Sequence, residues 1–193
     1  LLAFGGEIPL EGAFRSVRAQ PEDVALPPVW LLGSSDYSAH LAARLGRPFA
    51  FAAHFSPTAP EGPMLAYRTL FRPGALAEPR AMLAVSVFCA DTQEAAEEMA
   101  LPTLVAFARL RTGKPAKLLD VETARTYRFS PAEEAAASAI RALQIVGTPE
   151  TVHAKVAMLA ERTRADEVMI ATLASDHAAR VHSYELVAQA FGI

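Results

Sequence analysis

The residues best suited to chemistry lie at one junction, Leu32-Gly33-Ser34-Ser35-Asp36-Tyr37-Ser38, where a short apolar run ends and a helical pattern begins. Backbone N–H groups at a helix start are unpaired and carry partial positive charge, so they favour an anion. Gly33 permits close approach, and Ser34 and Ser35 add hydroxyl donors. A phosphate is the natural ligand. An ordinary N-cap with no ligand accounts for the same residues. The junction is not a dinucleotide fingerprint, and no G-x-G-x-x-G or Walker A pattern occurs in the chain. The phosphate of a mononucleotide, a sugar phosphate or a simple anion fits equally well.

His54 ends the next apolar run, Pro48 to Phe55. Its imidazole can donate or accept a hydrogen bond to a bound ring or substrate. Packing beneath the proline-rich stretch that follows is the alternative. Val146-Gly147-Thr148-Pro149-Glu150 combines a good N-cap with Pro at the first helical position, so capping alone explains it. The other histidines, His40, His153, His177 and His182, fall on helical patterns without metal-ligand spacing, so no metal is expected. No G-x-S-x-G elbow is present for serine hydrolysis. Glu94, Glu97 and Glu98 read as a solvated helix face. The single cysteine, Cys89, sits in an apolar run and reads as a buried, inert thiol.

These residues need elements to position them. Val29 to Leu32 reads as a strand buried on both faces. A helix from Asp36 to Leu45 follows, with Gly46 as its stop. Pro48 to Phe55 is a second strand. Ser56 to Arg80 contains five prolines and reads as a loop with a short helix near Met64 to Phe71. Ala81 to Ala90 is a third strand. A helix capped by Asp91 or Thr92 then runs to about Arg111, kinked or broken at Pro102. Gly113 to Ser130 reads as irregular. Ser130-Pro131-Ala132-Glu133 is a capping box that starts a helix to about Leu143. A helix from Thr148 to about Thr163, a fourth strand Glu167 to Leu173 and a helix Asp176 to Phe191 complete the chain. Leu1 to Gln20 reads as the tail of an earlier helix plus a loop.

Alternation of strand and helix implies parallel strands with right-handed crossovers. Four such units form either a small open sheet or half of an eight-stranded barrel. Periodicity does not decide between them. Long insertions after the second and third strands favour the barrel. The start, Leu1-Leu2-Ala3-Phe4-Gly5-Gly6, has neither an initiating Met nor a basic leader, so the chain is expected to be entered partway. The 193 residues are 52% hydrophobic and 20% charged, with a formal net charge of -3. That balance gives no footprint for nucleic acid or anionic lipid. No apolar stretch reaches the length of a membrane span. One cysteine fits a reducing, cytoplasmic setting.

Several separated blocks, in order, resemble one family. Pro28-Val29-Trp30-Leu31-Leu32-Gly33-Ser34-Ser35-Asp36-Tyr37-Ser38-Ala39 is similar to the fifth strand and following helix of luciferase-like flavin monooxygenases. Pro48 to Phe55 resembles the next strand, and Ala90-Asp91-Thr92 the turn after the seventh. Gly147-Thr148-Pro149-Glu150, Asp166 to Ile170 and Arg180 to Leu186 resemble the last unit. The resemblance runs from about Ala19 to about Phe191. It implies the C-terminal half of a (β/α)₈ TIM barrel, with residues 1–193 forming one partial domain and the N-terminal half absent. It implies reduced flavin mononucleotide (FMN) and O₂ as reactants, and oxidation of a small organic substrate such as an aldehyde. A flavin reductase supplying the reduced cofactor and a homodimer at full length fit the same picture. Gly33, Ser34 and Ser35 match the stretch that holds the flavin phosphate, Ser38 a nearby hydroxyl, and His54 a position on the pocket wall. The catalytic histidine and phosphate-side basic residue of the family belong to its first half and have no counterpart here. A non-catalytic flavin-binding relative and a phosphate-binding α/β domain without flavin are the other readings.

Overall fold

The structure, a computed structural model, describes residues 11–12 and 27–193. The expected helix tail and loop in Leu1 to Gln20 lies almost wholly outside them. In order, the elements are β1 (Leu31–Gly33), α1 (Asp36–Arg44), β2 (Phe49–Ala52), α2 (Glu61–Leu70), β3 (Ala81–Cys89), α3 (Gln93–Arg111), α4 (Val121–Thr126), α5 (Pro131–Arg141), β4 (Gln144–Gly147), α6 (Pro149–Thr163), β5 (Glu167–Ala171) and α7 (His177–Phe191).

All strand pairs are parallel. β1 pairs β2, and β2 pairs the first half of β3. Ala84 aligns with both Ala52 and Met169, so β2 and β5 occupy opposite edges of β3. Ser86 aligns with both Gln144 and Ala171, so β4 and β5 are also opposed. β4 therefore shares an edge with β2, continuing it after β2 has left. The four expected strands form the arc β1-β2-β3-β5, and β4 is an addition to it. Its short sequence, Gln144-Ile145-Val146-Gly147, carries too little pattern to separate a strand from a helix end.

Side chains alternate across the arc. Phe49 and Phe51 of β2 join Leu83, Val85, Val87 and Cys89 of β3 in a core completed by α1, α2, α6 and α7. Each fully buried Phe contributes about 2–3 kcal/mol relative to exposure. The buried Tyr67 of α2 also closes the N-terminal end. Its hydroxyl donates to Arg47 O (2.9 Å) and accepts from Arg80 N–H (3.1 Å). At the same end Asp166 accepts from Ala81 N–H (2.7 Å) and from Arg68 (2.6 Å). Phe88, on the opposite face of β3, packs against Ala96, Met99 and Ala100 of α3.

The helix stops agree with their chemistry. Gly46 takes φ 59, the left-handed value expected of the residue that ends α1. Ser130 and Glu133 form the capping box of α5. α3 runs unbroken through Pro102. The segment Gly113 to Ser130 is not wholly irregular, because Asp120 accepts from Thr123 N–H (2.7 Å) and starts α4. Among the described residues no helix is long and apolar enough to cross a membrane.

Candidate functional site

The β1–α1 junction forms as the sequence suggests, and for an identifiable reason. A Cβ on Gly33 would collide with Cβ and Oγ of Ser38. Glycine there lets the first turn of α1 fold back onto the end of β1. Ser35 takes the N-cap position with extended backbone (φ -149, ψ 166), yet its side chain caps nothing. α3, α4, α5 and α7 each have a side chain accepting from the first turn: Thr92, Asp120, Ser130 and Asp176. Among the described residues, the hydroxyls of Ser34, Ser35 and Ser38 have no hydrogen-bond partner. The start of α1 thus collects free N–H groups and free hydroxyls, a donor set for an anion.

The loop after β2 is tied to this junction. Buried Ser56 donates to Ser34 O (3.0 Å) and accepts from Thr58 N–H (3.0 Å). His54 lies in the same loop, reached through a bulge. Phe49 N–H donates to Arg80 O, whereas the next bond printed by this edge outside the strand is His54 N–H to Ala84 O (3.1 Å). β2 has advanced one residue more than β3 between those bonds. The surplus residue is Ala53, whose N–H turns back to Phe51 O (3.1 Å). The bulge ends β2 at Ala52, short of the expected Phe55, and re-aims His54. His54 Nδ1 lies 3.4 Å from Ala84 O and its ring meets Phe55 edge-on at 4.5 Å. If Nδ1 carries the proton, Nε2 is an acceptor.

α3 extends over the strand ends. Thr103 Oγ1 donates to Leu173 O beyond β5, and Arg111 to Phe55 O beyond β2 (3.3 Å). α7 fixes the remaining edge of β3 through side chains. Thr172 Oγ1 donates to Val87 O (2.8 Å), Ser183 Oγ accepts from Cys89 N–H (3.0 Å) and Tyr184 OH accepts from Thr172 N–H (3.0 Å). His182 bonds Asp91 (2.9 Å), which raises its pKa above the usual imidazole range. None of these contacts has a signal in a single sequence, since each joins residues distant along the chain.

Other expectations can be placed directly. Burial pushes the Cys89 thiol up to about 11, with Glu150 and Asp91 adding to it, so it is no nucleophile at neutral pH. Glu94, Glu97 and Glu98 are exposed. Among the described residues no cluster could hold a metal. Thr148 has N-cap geometry, but its hydroxyl points to Thr151 Oγ1 (3.4 Å), so capping does not account for it as the sequence suggests. A cleft of about 580 Å³ lies between α3, α5, β4 and α6, lined by Glu97, Leu101, Arg141, Gln144 and Lys155. It is a feature apart from the β1–α1 junction.

Comparison with known proteins agrees with this architecture. The luciferase-like monooxygenase family matches residues 2–167. The uncharacterized protein YvbT of Bacillus subtilis is 41% identical over 173 residues, which cover 89% of this chain and 52% of YvbT. The chain spans about half the length of the curated relatives it matches. The structure of apo-MsnO8 superposes with a TM-score of 0.78 at 30% identity, covering 92% of this chain and 54% of MsnO8. At 18% identity, the oxygenating constituent of a 3,6-diketocamphane monooxygenase from Pseudomonas putida, solved in complex with FMN, shares the fold with a TM-score of 0.54 and covers 83% of this chain and 47% of its own. The parallel βα arc is thus part of the TIM-barrel fold of these enzymes, and the chain belongs to the luciferase-like monooxygenase family.

Proposed function

We propose that this chain supplies the C-terminal half of a flavin-dependent monooxygenase barrel and holds the phosphate of FMN at the start of α1. The observation that carries this reading is the uncapped α1 terminus, with free hydroxyls on Ser34, Ser35 and Ser38 beside the bare Gly33. A dianionic phosphate suits that donor set, because charged hydrogen bonds are roughly twice as strong as neutral ones. The FMN in the distant camphor-type monooxygenase supports a flavin-type ligand. Reduced flavin, when bound, supplies the electrons with which O₂ oxidises a small organic substrate.

The chain's own residues bind, orient and exclude water. Ser34, Ser35 and Ser38 with the α1 N–H groups hold the phosphate. Ser56 fixes the His54 loop against that junction, which sets where the imidazole stands. His54 offers Nε2 to an N–H or O–H of the ring or the substrate. α3, spanning from Leu173 to Phe55, shields the strand ends from water.

The test compares FMN with riboflavin, which lacks the phosphate, by flavin fluorescence. FMN should bind more tightly, and inorganic phosphate should compete with it. Ser34→Ala with Ser35→Ala should weaken FMN by roughly 10- to 100-fold, from hydrogen bonds to a charged group of about 1.5–3 kcal/mol, and leave riboflavin unchanged. Equal affinity for the two flavins, or none for either, would sink the reading.

A further inference from the structure

We propose that Ser86 binds the polar edge of the flavin ring, an inference that rests on the phosphate reading above. Ser86 is 6% exposed, and its hydroxyl has no hydrogen-bond partner among the described residues. Arg68 Nε is the one unpartnered side-chain polar atom sealed from solvent among those residues, so Ser86 Oγ keeps a narrow opening. A hydroxyl in this state costs stability and gives the free protein nothing in return. Its neighbours in sequence, Val85 and Val87, face the helix-packed core. By strand alternation Ser86 faces the other way, with Ala84 and Phe88.

That face has room for a flat ligand. Ala84 pairs in register with Ala52, and Ser86 with Ala171, so small side chains flank the hydroxyl on both adjoining strands. His54 Nδ1 at Ala84 O puts the imidazole beside the same patch. The register also relates Ser86 to the phosphate site. Gly33 lies beside Phe51 and Leu83, so three residues further along Ser86 is level with the first turn of α1. It stands two strands away, about 10 Å at ordinary spacing. A ribityl chain running from a phosphate at α1 can carry a ring across that gap. A flavin edge carries carbonyl oxygens and ring nitrogens, which a serine hydroxyl can meet as donor or acceptor.

The experiment titrates the 193-residue chain and its Ser86→Ala variant with FMN and with riboflavin. It follows fluorescence, the visible absorption bands of the bound flavin, and the melting temperature of the ligand-free protein. Ser86→Ala should weaken both flavins equally, by up to about tenfold, the equivalent of one hydrogen bond of about 1.4 kcal/mol. The bound absorption bands should shift, and the ligand-free variant should melt no lower than the parent. Ser86→Cys, a weaker hydrogen-bonding group of similar size, should fall between. Ser34→Ala with Ser35→Ala should by contrast affect FMN alone. Unchanged binding and bands in Ser86→Ala overturn the role of Ser86 and leave the phosphate reading standing. A lower melting temperature without a change in bands assigns Ser86 to the structure and overturns it too. Failure of the parent chain to bind either flavin overturns both.

Discussion

Gly33→Ala tests whether the β1–α1 junction is built on direct contact between strand and helix. The added Cβ would overlap Ser38 Cβ as well as Oγ, and Ser38 Cα is 3.7 Å from it. Rotating the hydroxyl cannot relieve an overlap with Cβ, which is fixed to the helix backbone. The first turn of α1 must then move by more than about 1 Å to restore carbon contacts near 3.5 Å. Overpacking of this kind costs about 1–3 kcal/mol. For a chain of this size that lowers Tm by roughly 2–4 °C per kcal/mol. Ser38→Gly removes the colliding atoms, and by itself costs at most about 1 kcal/mol in helix propensity. The double variant Gly33→Ala, Ser38→Gly should therefore be more stable than Gly33→Ala alone. Urea denaturation of the four proteins measures the coupling directly. Single effects that add to within about 0.5 kcal/mol would refute the contact as the reason for glycine.

Ser183→Ala should lower stability by about 1–3 kcal/mol, because buried Cys89 N–H loses its acceptor; an unchanged urea midpoint would count against it. Glu133 accepts from Ser130 N–H and Oγ and from Tyr127 OH, which holds its carboxyl at about 2 against an ordinary 4.5. A depressed carboxylate pKa stabilises the fold above the ordinary value and loses that effect as pH falls toward the folded one. Glu133→Gln should therefore be less stable than the parent near pH 7, with the difference shrinking between about 4.5 and about 2. A difference that stays constant across that window in urea unfolding would refute the assignment.

The fold was legible where local chemistry and tertiary packing agree. Ser130, Pro131 and Glu133 announce α5, and Gly46 ends α1, because caps use contacts within a few residues. The alternation of apolar runs and amphipathic helices was enough for the parallel arc. β4 was hidden because its pairing with Ser86 to Cys89 is set by where β2 stops, which no local pattern records. The bulge at Ala53 was hidden for the same reason: Pro48 to Phe55 is evenly apolar and gives no sign of where the ladder slips. At the junction, the residue types Gly33, Ser34, Ser35 and Ser38 pointed to an anion, but the missing cap appears only in three dimensions. Ser86 was passed over as one polar residue within an apolar strand. Its significance lies in having no partner, which a sequence cannot show.

The three partners of β3 have a consequence for how the chain is made. During synthesis β2 is ready when β3 emerges, but the opposite edge must wait for β5, with Ser86 unpaired there until Ala171 is added. At about 5–20 residues per second, that edge stays bare for roughly 4–17 s. Through this interval the nascent protein presents an apolar strand with open backbone groups, a template for pairing with the wrong chain. The helices α3 to α6 are synthesised in the meantime, and α3 can pack over Phe88 before β5 exists. The long excursion after β3 thus gives the growing chain a temporary cover as well as the finished protein a roof.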